Sequence, residues 1–256
     1  AATDVNSMFE QTGLVNFFPT ASFCEAATNM LNFFATARSI RRVGTLKTPN
    51  VTNMSGIFGN ASSLQELGFT SFENVTTAPA ILSPTLRTFP HFNFTSLTSF
   101  NDVFKQANLI NTYDTPVSLS MDSGTSAQRM FSSADTVISI YITGSANVTD
   151  WFRAFKTTTN LVRLEIDGIN SSATFSDTFT AADSLQELKA PGIAEDLDLS
   201  DSHGLTAEAL NAIFTDLATV GSSGANAKTI DVSNTVGASS CNTSIATSKG
   251  WQVTTS

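Results

Sequence analysis

Charge is scarce in this 256-residue chain: 13 Lys and Arg and 22 Asp and Glu make up 14% of it, against roughly 25% in ordinary soluble domains. With so few cations and a formal net charge of −9, the chain lacks the basic footprint that binding a phosphate backbone requires, and nucleic acid is excluded as a partner class. Two Cys and two His leave little from which to build a metal centre, a thiol nucleophile or an imidazole base. No nucleophile elbow, phosphate loop or histidine-based triad occurs. No run approaches the ~20 apolar residues of a membrane-spanning helix, and the opening AATDVNSMF has no basic segment followed by an apolar one. A soluble chain is expected, and its start at Ala1 suits a processed product or a piece of a longer polypeptide.

Tyr and Trp are sparse too, two of each, yet there are 20 Phe. A hydrophobic content of 41% is enough to bury a core without disulfides or metals, so disorder is not expected. Thr, Ser and Asn number 36, 32 and 19, a third of the chain, and give it a neutral surface of hydroxyls and amides.

The Phe excess has a periodic origin. VTNMSGIFGNASSLQELGF at 51–69 is echoed by VTDWFRAFKTTTNLVRLEI at 148–166, and further copies start at Ala27, Leu97, Ser126 and Ala173. Taking the central Phe as a marker gives Phe9, Phe34, Phe58, Leu82 in a degenerate copy, Phe104, Phe131, Phe155 and Phe179. Successive markers lie about 24 residues apart, the longest step being the 27 residues from Phe104 to Phe131. A repeat of this length denotes a solenoid, in which each unit buries its apolar edge against its neighbours.

Within a copy, a large apolar residue stands four before the marker (Met30, Met54, Phe100, Trp151, Phe175) and a small one three after it (Ala37, Ala61, Ala107, Ala134, Ala182). Spacings of four and three share one helix face, and the openings Thr52-Asn53 and Thr149-Asp150 suit an N-cap, so a short helix is expected. The second half, with apolar Leu161, Leu164 and Ile166 or Val137, Ile140 and Ile142, suits a short strand. Each unit then reads as helix plus parallel strand, an α/β solenoid of about eight repeats over 1–195. A parallel β-helix of similar period is disfavoured, because its coils should alternate on a period of two and Met54, Ile57, Phe58 and Ala61 do not. The copy around 78–94, with Pro79, Pro84 and Pro90, is expected to bulge or bend.

The string VTNM-S-x-x-F-x-x-A-S-S-L-x-x-L resembles the BspA-like leucine-rich repeat, found in bacterial and protist surface proteins and in phage-encoded proteins. The resemblance implies a leucine-rich-repeat solenoid acting as a non-catalytic, surface-exposed binding or adhesion module. After Pro191 the pattern changes, and 196–256 read as an atypical last repeat and cap: a strand at 196–199, a helix at 205–220, a strand in KTIDVSNT, a short helix ending at Gly250 and a last strand at 251–253. This tail is similar to the closing segment of phage-encoded leucine-rich-repeat proteins, which implies a virion structural or receptor-binding protein. Location on a virion or at an extracellular or cell surface follows from the same resemblance. Bacterial or protist adhesins and self-assembling subunits of an extracellular layer or filament are the alternatives.

Cys24 and Cys241 lie at opposite ends of the repeat array, roughly 30–40 Å apart at ~4.8 Å per strand, too far for a disulfide. Two free thiols are expected. His91 reads as a packed or surface residue. His203 follows Asp196, Asp198 and Asp201, but without the glycine of a calcium loop, so no metal and no cofactor are expected. Glu165 and Asp167 imitate a glycosidase pair, although a solvated strand face of mixed charge explains them more readily, and no enzymatic activity is expected. The eight Asn-x-Ser/Thr sequons, at Asn50, Asn53, Asn60, Asn74, Asn93, Asn147, Asn170 and Asn242, fall mostly at equivalent repeat positions, where Asn and Thr serve turns and caps.

What remains is the strand face. In register, its first outward column is Phe17, Arg42, Glu66, Thr88, Thr112, Ser139, Arg163 and Glu187, and its second is Pro19, Gly44, Gly68, Pro90, Asp114, Tyr141, Glu165 and Lys189. The binding candidates are therefore Arg42, Glu66, Asp114, Tyr141, Arg163, Glu165, Glu187 and Lys189. Charges of both signs among hydroxyls suit a host-cell surface protein or a neutral glycan, other virion or surface-layer proteins, or a second copy, better than a polyanion.

Overall fold

The computed structural model describes residues 2–20, 23–68, 72–81, 85–221 and 227–256. The chain winds into a parallel β-solenoid of about nine turns with little helix. Strands β1 (Asn16–Phe17), β2 (Arg42–Val43) and β3 (Glu66–Leu67) form one parallel sheet; β4 (Thr85–Leu86) pairs with β6 (Asn108–Leu109). A five-stranded parallel sheet joins β5 (Phe92–Asn93), β7 (Val117–Ser120), β8 (Ser139–Thr143), β9 (Arg163–Ile166) and β10 (Glu187–Lys189) in that order. The sheet thus divides within the proline-bearing copy, where β4 and β5 pair with different strands of the next coil. The marker position Leu82 and Pro84 lie outside the described residues. Beyond β10 come β11 (Leu197–Asp198), helix α1 (Ala207–Asp216), β12 (Lys228–Asp231), a short α2 (Ser244–Thr247) and β13 (Trp251–Thr254), with β11, β12 and β13 in a separate parallel sheet.

The first half of each repeat is not the expected helix but a chain of tight turns. Around Phe34, the amides of Phe33, Ala35 and Ala37 donate to the carbonyls of Met30, Asn32 and Phe34, three residues back. The intervening amides, of Asn32, Phe34 and Thr36, donate instead to Ser55, Ile57 and Gly59 of the next coil at 3.0, 2.8 and 2.6 Å. Every second donor is therefore intercoil, as in a β-ladder, so the period of two lies in the backbone bonds and not in the side chains. Left-handed residues make this possible. The residues two before and two after the Phe markers have positive φ, among them Asn32 and Thr36, Asp102 and Gln106, Arg129 and Ser133, Arg153 and Thr157, and Asp177 and Ala181. Each left-handed residue resets the chain direction, so apolar positions at −4, −1, 0 and +3 all face inward, which is the spacing a helix would also give.

The Thr-Asn openings likewise form corners rather than caps. Asn29, Asn53 and Asp150 accept, through Oδ1, the amides of Leu31, Ser55 and Phe152 at 3.2, 3.0 and 2.9 Å, the Asx-turn chemistry that an N-cap shares. The Thr before each donates its hydroxyl one coil back: Thr52 to Thr28, Thr149 to Thr125 and Thr174 to Thr149. Inside, the markers stack. Phe34 and Phe58 lie 5.6 Å apart at 5°, Phe104 and Phe131 4.9 Å at 15°, Phe131 and Phe155 6.0 Å at 13°, and Phe155 and Phe179 5.8 Å at 15°. Such pairs add about 0.5–1.5 kcal/mol each beyond the area they bury.

Left-handed positions occupied by L-residues cost roughly 1–2 kcal/mol each, whereas Gly occupies them freely but loses about 0.5–1 kcal/mol of chain entropy. Replacing Ala181, at φ 54°, by Gly is expected to raise stability by up to ~1 kcal/mol in denaturant unfolding. Gly56→Ala, at φ 58° with the new Cβ 2.5 Å from Asn32 Oδ1, is expected to lower it by about as much. The left-handed column also carries charge: Arg129 grips Asp102 through two bonds of 2.8 and 2.6 Å. The guanidinium holds the Asp102 carboxyl below the ordinary carboxylate range. The stabilisation is therefore complete at neutral pH and is lost as pH falls from the unfolded value of about 4 through the lower folded one. Urea unfolding of Asp102→Asn should show a smaller stability loss than wild type between neutral and acid pH.

Candidate functional site

The five-stranded sheet brings four of the eight strand-face candidates onto adjacent positions and a fifth beside them. Ser139 pairs with Arg163 and Arg163 with Glu187; Ser118 pairs with Tyr141, Tyr141 with Glu165, and Glu165 with Lys189. Arg163 donates to Glu165 Oε2 at 3.2 Å. Its Nε lies 3.3 Å from Glu187 Oε1 but makes no hydrogen bond there, so that contact is electrostatic alone. Lys189 donates to Glu165 Oε1 at 2.5 Å, which raises the lysine pKa. The alternating charges of β9 and β10 are thereby paired across and along the strands, leaving an organised polar surface with little net charge.

Three candidates lie elsewhere. Arg42 and Glu66 form an exposed ion pair of 3.1 Å on β2 and β3, a sheet separate from the cluster. There the second column is closed to side chains: a Cβ on Gly68 would lie 2.8 Å from the Gly44 carbonyl carbon. Asp114 is not on the face column. Ser118 occupies the register beside Tyr141, and Asp114 sits within a turn closed by an antiparallel bridge between Thr112 and Thr115. Thr112 leaves the first column for the same reason, and β1 is offset by one, with Asn16 rather than Phe17 opposite Arg42.

That turn comes from the 27-residue step between Phe104 and Phe131, and it supplies the residue that strand register missed. Asn111 clamps its base: Nδ2 donates to the Ser139 and Thr115 carbonyls at 2.6 and 3.2 Å, and Oδ1 accepts the Ile138 amide at 2.8 Å. The buried amide side chain replaces a missing stretch of backbone pairing. Tyr113, carried over the face, donates its hydroxyl to Glu187 Oε2 and covers Arg163, whose guanidinium carbon is 5.4 Å from the ring centroid. The bond to Glu187 raises the phenol pKa. On the same face a depression of about 130 Å³ is lined by Pro116, Ser139, Ile140, Tyr141, Arg163 and Glu165. The lengthened repeat was the sequence signal for Tyr113.

The remaining sequence candidates have structural roles. His91 bonds Ser118 and Ser120 at 2.9 and 3.0 Å. His203 lies 3.7 Å from Asp183, apart from the three aspartates that precede it: Asp196 accepts the Thr229 amide, Asp198 that of Ser200 and Asp201 that of Ala181. Among the described residues no three His, Cys, Asp or Glu side chains gather as metal ligands. Cys24 and Cys241 are free thiols; burial pushes Cys24 up to about 11. Four sequon asparagines, Asn50, Asn74, Asn147 and Asn170, donate their side-chain amides to carbonyls one coil back. Among the described residues no helix is long and apolar enough to cross a membrane.

No protein-family model, curated protein or solved structure matches this chain.

Because Asn111 satisfies two buried strand-edge groups, Asn111→Ala is expected to cost about 1–3 kcal/mol and to free the Tyr113 arch. Equilibrium unfolding measures the first effect, and increased exposure of the Tyr113 phenol to nitration or quenching measures the second.

Proposed function

We propose that this chain is a non-catalytic binding module displayed on a surface, which recognises a host-cell surface protein or a neutral glycan through the face of β7–β10. The observation that carries the proposal is the Tyr113 arch: one coil is lengthened so that an aromatic side chain crosses to Arg163 and Glu187. The arch holds an aromatic, a guanidinium and carboxylates ready for a partner, which lowers the ordering cost of binding. Tyr and Arg are the side chains most enriched among binding hot spots. The repeat string, the tail and the hydroxyl-rich exterior support a BspA-like leucine-rich-repeat lineage and a virion structural or receptor-binding role. A turn-built first half replaces the helix of the sequence expectation but keeps the stacked repeat.

A specific observation favours the self-assembly alternative. Met8, Leu14, Val15, Phe18 and Phe23, all in the first described coil, are exposed by 38–69%. Apolar groups gathered on one exposed coil suit a contact with another chain.

Tyr113→Ala combined with Arg163→Ala is expected to abolish binding to the target cell or purified glycan while leaving the unfolding midpoint near the wild-type value. Unchanged binding would move recognition off this face. A sedimentation series separates the alternative, since a mass that stays monomeric with rising concentration would remove the self-assembling subunit.

A further inference from the structure

The intercoil ladder of the turn halves is open between the last regular repeat and the cap. In the coil before it, the amides of Trp151, Arg153, Phe155 and Thr157 donate to the carbonyls of Thr174, Ser176, Thr178 and Thr180 at 2.8–3.1 Å. One repeat on, the equivalent donors are Phe175, Asp177, Phe179 and Ala181. Ala181 reaches the side chain of Asp201 at 3.0 Å, but the amides of Phe175, Asp177 and Phe179 find no acceptor among the described residues. The bridge series from Ser126 through Asp150 stops at Thr174, although Asp198 is the next residue in register. On the opposite side of the coil, α1 packs against β10 and closes that sheet. The ladder is therefore sealed on one side and split on the other.

The split is a groove of about 520 Å³ lined by Thr174, Phe175 and Asp177 of the last regular repeat and by Asp198, Thr229 and Asp231 of the cap. Its charge has one sign. Asp177 is paired with Arg153 and Glu195 with Lys228, while Asp196, Asp198 and Asp231 form no ion pair among the described residues. Asp198 and Asp231 each use Oδ1 to hold a nearby amide, of Ser200 and Ser233 at 2.9 Å, and the Oδ2 of each has no hydrogen bond among the described residues. A row of backbone donors on alternate residues is the half-ladder that an extended chain completes through its carbonyls. Unopposed carboxylates beside it select a chain bearing cations and repel an anion, which would otherwise compete for the same amides.

We infer that this seam is a docking groove for an extended, Lys- or Arg-bearing segment of a partner protein, which supplies the missing rung of the ladder to Phe175 and Asp177 and sets its cations against Asp198 and Asp231. The site is independent of the Tyr113 face, so either can fail without the other.

The test uses the full chain and two synthetic peptides, one alternating Lys with Thr and one alternating Glu with Thr. The Lys peptide is expected to bind, to slow hydrogen exchange at Phe175 and Asp177, and to weaken as salt is raised. The Asp198→Asn, Asp231→Asn double variant, which keeps each amide-holding oxygen, is expected to bind about tenfold more weakly, or ~1.4 kcal/mol. Exchange measured on the wild-type chain keeps the inference testable even if the double variant fails to fold. Absence of Lys-peptide binding, equal binding of the Glu peptide, unaltered affinity of a folded double variant, or protection confined to other amides would each overturn it.

Discussion

Everything in this molecule depends on one coil lying directly over the next with its marker residue over its neighbour's. The stacked rings of Phe104, Phe131, Phe155 and Phe179 set the axial spacing, and that spacing brings alternate amides within reach of the carbonyls one repeat on. Neither the ring column nor the ladder is stable in one unit, because a single coil leaves its ring faces in water and half its turn donors unpaired. Stability is a property of neighbours. The Thr and Asn columns follow from the same spacing: once two corners are stacked, a hydroxyl or side-chain amide reaches exactly one carbonyl, that of the coil before.

The stacking also explains why left-handed residues are tolerated so often. Each carries a local cost of ~1–2 kcal/mol in an isolated chain, but a right-handed residue there would turn alternate amides away from the neighbouring coil. The intercoil bonds and the buried apolar edge offset the strain collectively. Ser, Asn, Asp, Arg, Gln, Thr and Ala all occupy the position, so the neighbouring coils rather than residue type impose the conformation.

Departures from regularity are where the molecule acquires distinct surfaces. The extra residues between Phe104 and Phe131 leave the sheet as a turn and return Tyr113 over β9 and β10; Asn111 replaces the pairing that the excursion removes. At the cap, α1 covers β10 while β11 belongs to another sheet, and a groove results. A uniform repeat would present one face many times, whereas these two irregularities give the array one aromatic arch and one acidic cleft.

The amino-acid sequence by itself determined the period, the Phe column, the inward positions and the strand register from Tyr141 to Lys189, because these depend on residue spacing and on side-chain apolarity. It also located the lengthened copy. The helix expected in each first half was a reasonable inference from spacings of four and three and from Thr-Asn openings, yet linked turns satisfy both signals equally. Choosing between them requires knowing where alternate amides find acceptors, and those acceptors lie about 24 residues away in the next coil. Tyr113 over Arg163, Asp114 off the face and three unpaired amides at the seam were likewise decided in tertiary structure, since each is set by contact between coils and not by the residues beside it in the chain.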